Sequence, residues 1–506
     1  MSISGSRVTA ALAKDKLGVW DLMFFTGGSV APMLVIAGVV TTAFVVTGLI
    51  AAPAAFIVFA LVLAVWSVGY TGMARHITNA GAMYAFVTRG LWRPVGIAVA
   101  MVALVAYNEL QVGLYGIFGP STRDFVNQRL KVSDHWWTSW VVFALIAWAA
   151  VAVLGWLKIT IPGRVLALLL TAELAVVLAL DVAGVAHPAG GHLSVGTLSP
   201  VSLIRAGGGV LGLLAILSFA GFESGAVLSE ETRNPRRTVP AATFLILAVA
   251  AVVYAGSSWA MAVHYGDGNL VATAGKLGPG MLFTMGGPFL EWASNILLLT
   301  SVFAAMVAYH PFVTRYIFAL AREGVLPRAF ARTNAAGAPV VASTAQTVIG
   351  LIVIAGYGVF DHDPLVHLFF WCGTSGGFGA LILYTVASFA VIGYFARHPF
   401  GESVWVRLAA PGVAGVVLAG LVVLALHNYP TLLGVAPGSP VAFWLPAVYG
   451  IVAVAGLLLA GGLRVLRPDL YRAIGLTTPD TDSTPAIPQG RRGWPIETPT
   501  WQGVDL

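Results

Sequence analysis

The chain is 506 residues long, 58% hydrophobic and 9% charged, where an ordinary soluble domain carries about 25% charged residues. So little charge cannot cover a water-soluble globule of this size, and this argues against soluble enzymes and nucleic-acid-binding proteins. The formal net charge of +6 is therefore read as loop charge on a membrane protein, with the lipid bilayer and not nucleic acid as its partner.

Taken in chain order, residues 1–17 form a short polar segment with no signal-peptide cleavage pattern, so the first apolar stretch reads as a retained span. A helix needs about 20 mostly apolar residues to cross the hydrocarbon layer. Twelve stretches qualify: 20–48, 53–73, 94–119, 136–156, 162–183, 203–228, 240–264, 287–319, 340–357, 365–394, 404–427 and 441–462. The longest of these imply tilt or breaks. Pro53, Pro162 and Pro240 stand near span starts, where a missing N–H does little harm. An even number of spans puts both termini on one side. With that side cytoplasmic, the inner segments hold 22 of the 27 Lys and Arg, and only Arg123, Arg129, Lys131, Arg205 and Lys276 fall outside. The asymmetry predicts a multi-pass plasma (inner) membrane protein with both ends cytoplasmic. Residues 464–506 are rich in Pro, Thr, Asp and Gly and read as a disordered cytoplasmic tail. The lone cysteine, Cys372, cannot form an internal disulfide.

Two spans are interrupted. The first carries Thr26-Gly27-Gly28-Ser29 followed by Pro32, and the sixth carries Phe219-Ala220-Gly221-Phe222-Glu223-Ser224. Glycine costs a helix interior about 1 kcal/mol and proline about 3. Non-helical backbone at membrane depth survives only against protein or a polar cavity. Each break opens a set of five helices, the arrangement that points to the site of an inverted-repeat transporter. Opened helix ends present N–H groups of partial positive charge and C=O groups of partial negative charge. A zwitterion fits both: its carboxylate on the amides of Gly27, Gly28 and Ser29, its ammonium on the carbonyls of Phe219 and Ala220. Close helix packing is the plainer reading of Gly113 and Gly116.

The stretch from Phe219 to Pro240, FAGFESGAVLSEETRNPRRTVP, closely resembles the sixth-helix exit of the amino acid–polyamine–organocation permeases. A second match joins His310, Arg315, Tyr316 and Ala319 to Ala321-Arg322-Glu323-Gly324-Val325-Leu326-Pro327, with Pro339 beyond, and looks like that family's eighth-helix exit. A weaker third is Ala80-Gly81-Ala82-Met83-Tyr84. The resemblance covers about residues 18–463. It implies an all-α, leucine-transporter-type fold: a 5+5 inverted repeat, 18–184 and 203–395, plus two peripheral helices within 404–463, cycling by alternating access around the two breaks. Gly27-Gly28-Ser29-Val30-Ala31-Pro32 departs from the Gly-x-Gly-Ile-Phe type element of many relatives, so no relative's substrate carries over.

Ionisable side chains at mid-span are costly and mark function. Glu109, Glu173, Glu223 and His310 are the proton-coupling candidates; for each, a structural hydrogen bond is the plainer alternative. Glu173 lies where some proton-coupled relatives place a lysine near the first helix, and its plainer role is a neutral carboxyl bonded to a helix 1 carbonyl. Tyr107, Asn108 and Gln111 make a polar strip that either meets a substrate side chain or joins helices. Phe222 and Trp371 are candidate aromatic walls. Glu230 and Glu231 with Arg233 and Arg237 form a candidate cytoplasmic gate. The run Gly207-Gly208-Gly209-Val210-Leu211-Gly212 follows no strand, and no catalytic, metal-binding or nucleotide-binding motif occurs. The reading is a secondary transporter of an amino acid or derivative, without cofactor or metal, coupled to protons or to exchange. A polyamine permease and a non-transporting amine sensor are the alternatives. Cargo, coupling and oligomeric state stay open.

Overall fold

The computed structural model describes residues 11–131 and 136–475. Backbone groups in lipid must be satisfied within their own segment, and a helix does this for every interior residue. Among the described residues the only strand-like pairing is one bridge between Leu17 and Thr232.

Among the described residues the main apolar helices run in order: α1 (Val19–Val30, continuing beyond a break over 32–47), α2 (Ala52–Ala74), α3 (Arg93–Leu130), α4 (Trp140–Trp156), α5 (Thr160–Ala186), α6 (Gly208–Leu217), α7 (Pro235–Tyr265), α8 (Gly287–Arg322), α9 (Val340–Val359), α10 (Trp371–Arg397), α11 (Ala410–His427) and α12 (Pro440–Leu466). Among the described residues ten spans are long and apolar enough to cross a membrane, while α4 and α6 are shorter. The protein is a multi-pass membrane protein. Large aliphatic side chains point outward, as with Leu168 and Val252, both 72% exposed; in water such a surface would aggregate, and in a bilayer it is solvated.

The packing follows a pattern. The α2 helix lies along α7, α3 along α8 and α4 along α9; α5 meets α8 as α10 meets α3. The interior between them is small-residue rich, which lets backbones approach closely. At Gly116 an added Cβ would strike the carbonyl of Pro364, so the close-packing expectation for this glycine holds.

The tail differs from expectation in its first part. The α12 helix runs to Leu466, and α13 (Pro468–Ala473) folds back on the body. Leu470 packs beside Gly324, the Arg89 side chain donates to the Gly475 carbonyl at 2.7 Å, and the Gly475 amide donates to Glu323 at 2.9 Å. Composition hid this because a docked segment needs only a few anchoring contacts. Residues 476–506 lie outside the described residues.

Candidate functional site

The first interruption sits three residues later than the glycines suggest. The α1 helix passes unbroken through Thr26, Gly27, Gly28 and Ser29, and the chain turns at Ala31 (φ 45°) before Pro32. Gly27 and Gly28 serve packing instead. A Cβ on Gly27 would strike Leu170 of α5, and one on Gly28 would lie 2.9 Å from Leu166 and 3.3 Å from the Ala304 carbonyl of α8. The amides of 27–29 therefore belong to the helix and are not opened toward a ligand. The amide freed by the break is that of Met33, which donates to Glu173 at 2.5 Å. The same Glu173 oxygen accepts the Ser301 hydroxyl of α8 at 2.8 Å. Glu173 thus holds a helix 1 amide, where a helix 1 carbonyl was expected.

The second interruption is wider. The α6 helix ends at Leu217, residues 218–223 turn, and a 3-10 segment follows over Ser224–Glu231. Gly221 has φ +101°, a region closed to side-chain-bearing residues. Its Cβ would lie 2.7 Å from Ser29 Oγ and 2.9 Å from Tyr309 Oη. Glu223 is buried behind this turn and accepts three donors: Tyr107 of α3 at 2.6 Å, Tyr384 of α10 at 2.6 Å and the Gly221 amide at 3.1 Å. Tyr70 of α2 donates to the Glu223 carbonyl at 2.8 Å. The carbonyls expected to face an ammonium already have donors: Phe219 takes the Phe222 amide at 3.1 Å and Ala220 the Tyr309 hydroxyl at 3.0 Å. Ser29 Oγ, within reach of both Thr26 O at 2.7 Å and Gly221 O at 3.1 Å, ties the two interruptions together.

Between the interruptions lies a cavity of about 200 Å³. Ser29, Val30 and Ala31 border it from the first break, Ser218 and Ala220 from the second. It extends along the first span to Thr42, past 35–40 and 364–370, which take the wider π-helical turn; such turns recur at functional sites. Of the expected site residues, Ser29 and Ala220 reach this wall. Thr26, Gly27, Gly28, Phe219 and Gly221 stand behind it, and Tyr107 and Glu223 are bonded to each other. Phe222 packs on Trp66 and Tyr384. Asn108 bonds its own helix at Leu104 O, and Gln111 is buried beside Tyr115. Trp371 packs against His367 with the rings tilted by 50°.

Glu109 accepts the Tyr449 hydroxyl of α12 at 2.7 Å, and His310 pairs with Ser343 of α9 at 2.8 Å. Both join helices, away from the cavity. Wall residues the sequence reading missed include Ser218, Tyr309, Phe369, Phe370 and Thr374. A signal existed: Ala31, Leu34, Val35, Gly38 and Thr42 recur at helical spacing, as do Leu110, Gly113 and Leu114 and again Leu214, Leu217 and Ser218, and all face the cavity.

The opposite end is closed by charge. Arg315 grips Glu231 through two bonds, 2.8 and 3.1 Å, and Arg322 grips Glu230 at 2.7 and 2.6 Å. Glu230 also accepts the Ala80 amide at 2.8 Å, and Glu323 accepts the Tyr84 hydroxyl. The three quoted motifs thus meet in one plug. Glu230 and Glu231 belong to it as expected, but their partners come from α8. Arg233 instead donates to Asp15 O at 2.9 Å, and Arg237 is exposed. The N-terminal segment adds a cover, its Lys16 and Leu17 amides donating to Glu231 O at 2.8 and 3.0 Å.

The family model described as "Amino acid permease" matches residues 17–455. A lysine-specific permease of Lactococcus lactis subsp. cremoris is 29% identical over 197 residues, 35% of this chain and 38% of that protein. A low-affinity putrescine importer of Escherichia coli is 23% identical over 185 residues, 35% of this chain and 37% of the importer. A methylthioribose transporter of Bacillus subtilis is 23% identical over 262 residues, 51% and 52% of the two chains. These alignments span about half or less of each relative's length.

Proposed function

The chain belongs to the amino acid permease family, and on that premise we propose that it is a secondary transporter moving an amino acid or amino-acid derivative across the plasma membrane. The cycle is alternating access, coupled to protons or to exchange, with both termini cytoplasmic.

One observation carries the reading: a cavity borders both interruptions, and two buried ion pairs join the segment after the second interruption to α8 at the end of the bundle away from it. A permease needs a state held shut at one end and its mirror image. The helix contacts support a 5+5 repeat, because exchanging the first five helices for the second five maps α2–α7, α3–α8 and α4–α9 onto themselves and α5–α8 onto α10–α3. Twelve spans then result when the short α4 and α6 cross together with their flanking turns. Glu173 is the proton-carrier candidate that fits this geometry best. It bridges the Met33 amide of one rod and Ser301 of another, so its charge state would be felt wherever α5 and α1 part. Glu223, enclosed by three donors, suits a structural hub. Glu109 and His310 suit helix joining. The putrescine importer among the relatives keeps an amine cargo as a second reading.

Flux into sealed proteoliposomes tests the proposal. The expected result is uptake of an amino acid that responds to an imposed pH gradient or to internal amino acid. Saturable binding with no flux under either condition would turn the reading into that of a membrane sensor.

A further inference from the structure

Resting on the transport reading above, we propose that the cavity selects amino acids with uncharged, apolar side chains and rejects dibasic amino acids and polyamines. The wall divides into two chemistries. Ser29, Val30, Ala31, Ser218, Ala220 and Tyr309 bring hydroxyls and main-chain groups. The carbonyls of Val30, Ser218 and Ala220 already accept a tyrosine hydroxyl and keep a second lone pair for one ammonium. The hydroxyls of Ser29, Ser218 and Tyr309 would turn from main-chain oxygens to receive one carboxylate. The rest is apolar, with Leu110, Leu114, Leu214, Leu217, Phe369 and Phe370 around the space left for a side chain. Among the described residues no Asp, Glu, Lys, Arg or His lines the cavity.

A second ammonium brought to this wall would lose its water and find no counter-charge, which is strongly unfavourable in a low-dielectric interior. The membrane-embedded carboxylates do not relieve it. Glu223 is enclosed by Tyr107, Tyr384 and the Gly221 amide. Glu173 is held by the Met33 amide and Ser301. Glu109 faces Tyr449, and Asp181 faces Ser257. All four stand off the cavity wall. An apolar side chain, by contrast, gains by leaving water for Leu and Phe contacts. The putrescine and lysine carriers among the relatives therefore share a family with this chain but not its cargo.

The test uses the full chain in proteoliposomes, with leucine, phenylalanine, lysine and putrescine offered separately, and heat protection of the purified protein as a second readout. Leucine or phenylalanine should be favoured at least about tenfold over lysine and putrescine in both. Thr374→Asp places a carboxylate on the wall and should raise the lysine-to-leucine ratio about tenfold. Thr42→Asp is the companion variant should Thr374→Asp not fold. Lysine or putrescine equal to or better than leucine in the native chain would overturn the selectivity, while leaving a transporter. An unchanged ratio in a folded Asp variant would do the same. Native protein that moves none of the four, yet is stabilised by one, would overturn the transport reading beneath it.

Discussion

The two helix interruptions face the same physical problem and solve it with carboxylates of opposite origin. At the first, a single turn at Ala31 frees the Met33 amide, and the acceptor is Glu173 on α5, 140 residues away. At the second, a six-residue turn frees the Gly221 amide, and the acceptor is Glu223, two residues away. A local acceptor moves with the backbone it serves. A remote one holds only while two helices keep their places. On the proposed cycle the second interruption, reinforced from α2, α3 and α10 by three tyrosines, would be a fixed hub, and the first the joint whose bond breaks and re-forms as α1 and α5 shift.

Substitutions can break this comparison. The largest effect is expected at Gly221→Leu, where φ +101° and the 2.7 Å approach to Ser29 leave no room for a side chain. Uptake should fall to background in protein that still expresses, as read by radiolabel flux and size-exclusion profile. Glu223→Gln comes next. An amide side chain cannot accept from all three donors, and leaving one buried donor unpaired should cost about 1–3 kcal/mol, seen as a lower unfolding temperature.

Glu173→Gln keeps an oxygen for Met33 and Ser301, so stability should change by less than about 1 kcal/mol. Its expected signature is in the pH profile. Native uptake declines as rising pH removes protons from the outer side, and the variant's uptake is flat; an equally steep variant profile would return Glu173 to a purely structural role. The smallest effect belongs to Ala31→Gly. A non-glycine residue in the left-handed region costs about 1–2 kcal/mol, and glycine's extra chain entropy offsets about half of that. Transport and melting temperature should stay close to native, in contrast with Gly221→Leu.

The fold was legible because membrane helices announce themselves by length and apolarity, and proline and glycine at Pro32 and Gly221 flagged both interruptions. The site was less so. Gly27 and Gly28 mark a helix crossing as readily as a break, and only the positions of Leu170, Leu166 and Ala304 decide between the two. Arg233 and Arg237 are near Glu230 and Glu231 in sequence, but the 3-10 segment turns those carboxylates inward to α8, where Arg315 and Arg322 wait. The tyrosines on Glu223 lie 116 and 161 residues from it, and no periodicity within one span reports such a meeting. Polar residues at mid-span signal that a partner exists, not which one.

Glu323 holds together Tyr84, from the loop after α2, and the Gly475 amide, from the segment after α12. Prising that end of the bundle apart strips a buried carboxylate of donors belonging to the carrier's last described stretch. On the transport reading, a C-terminal tag that displaces that stretch would alter the uptake rate, which flux measured with and without the tag would show.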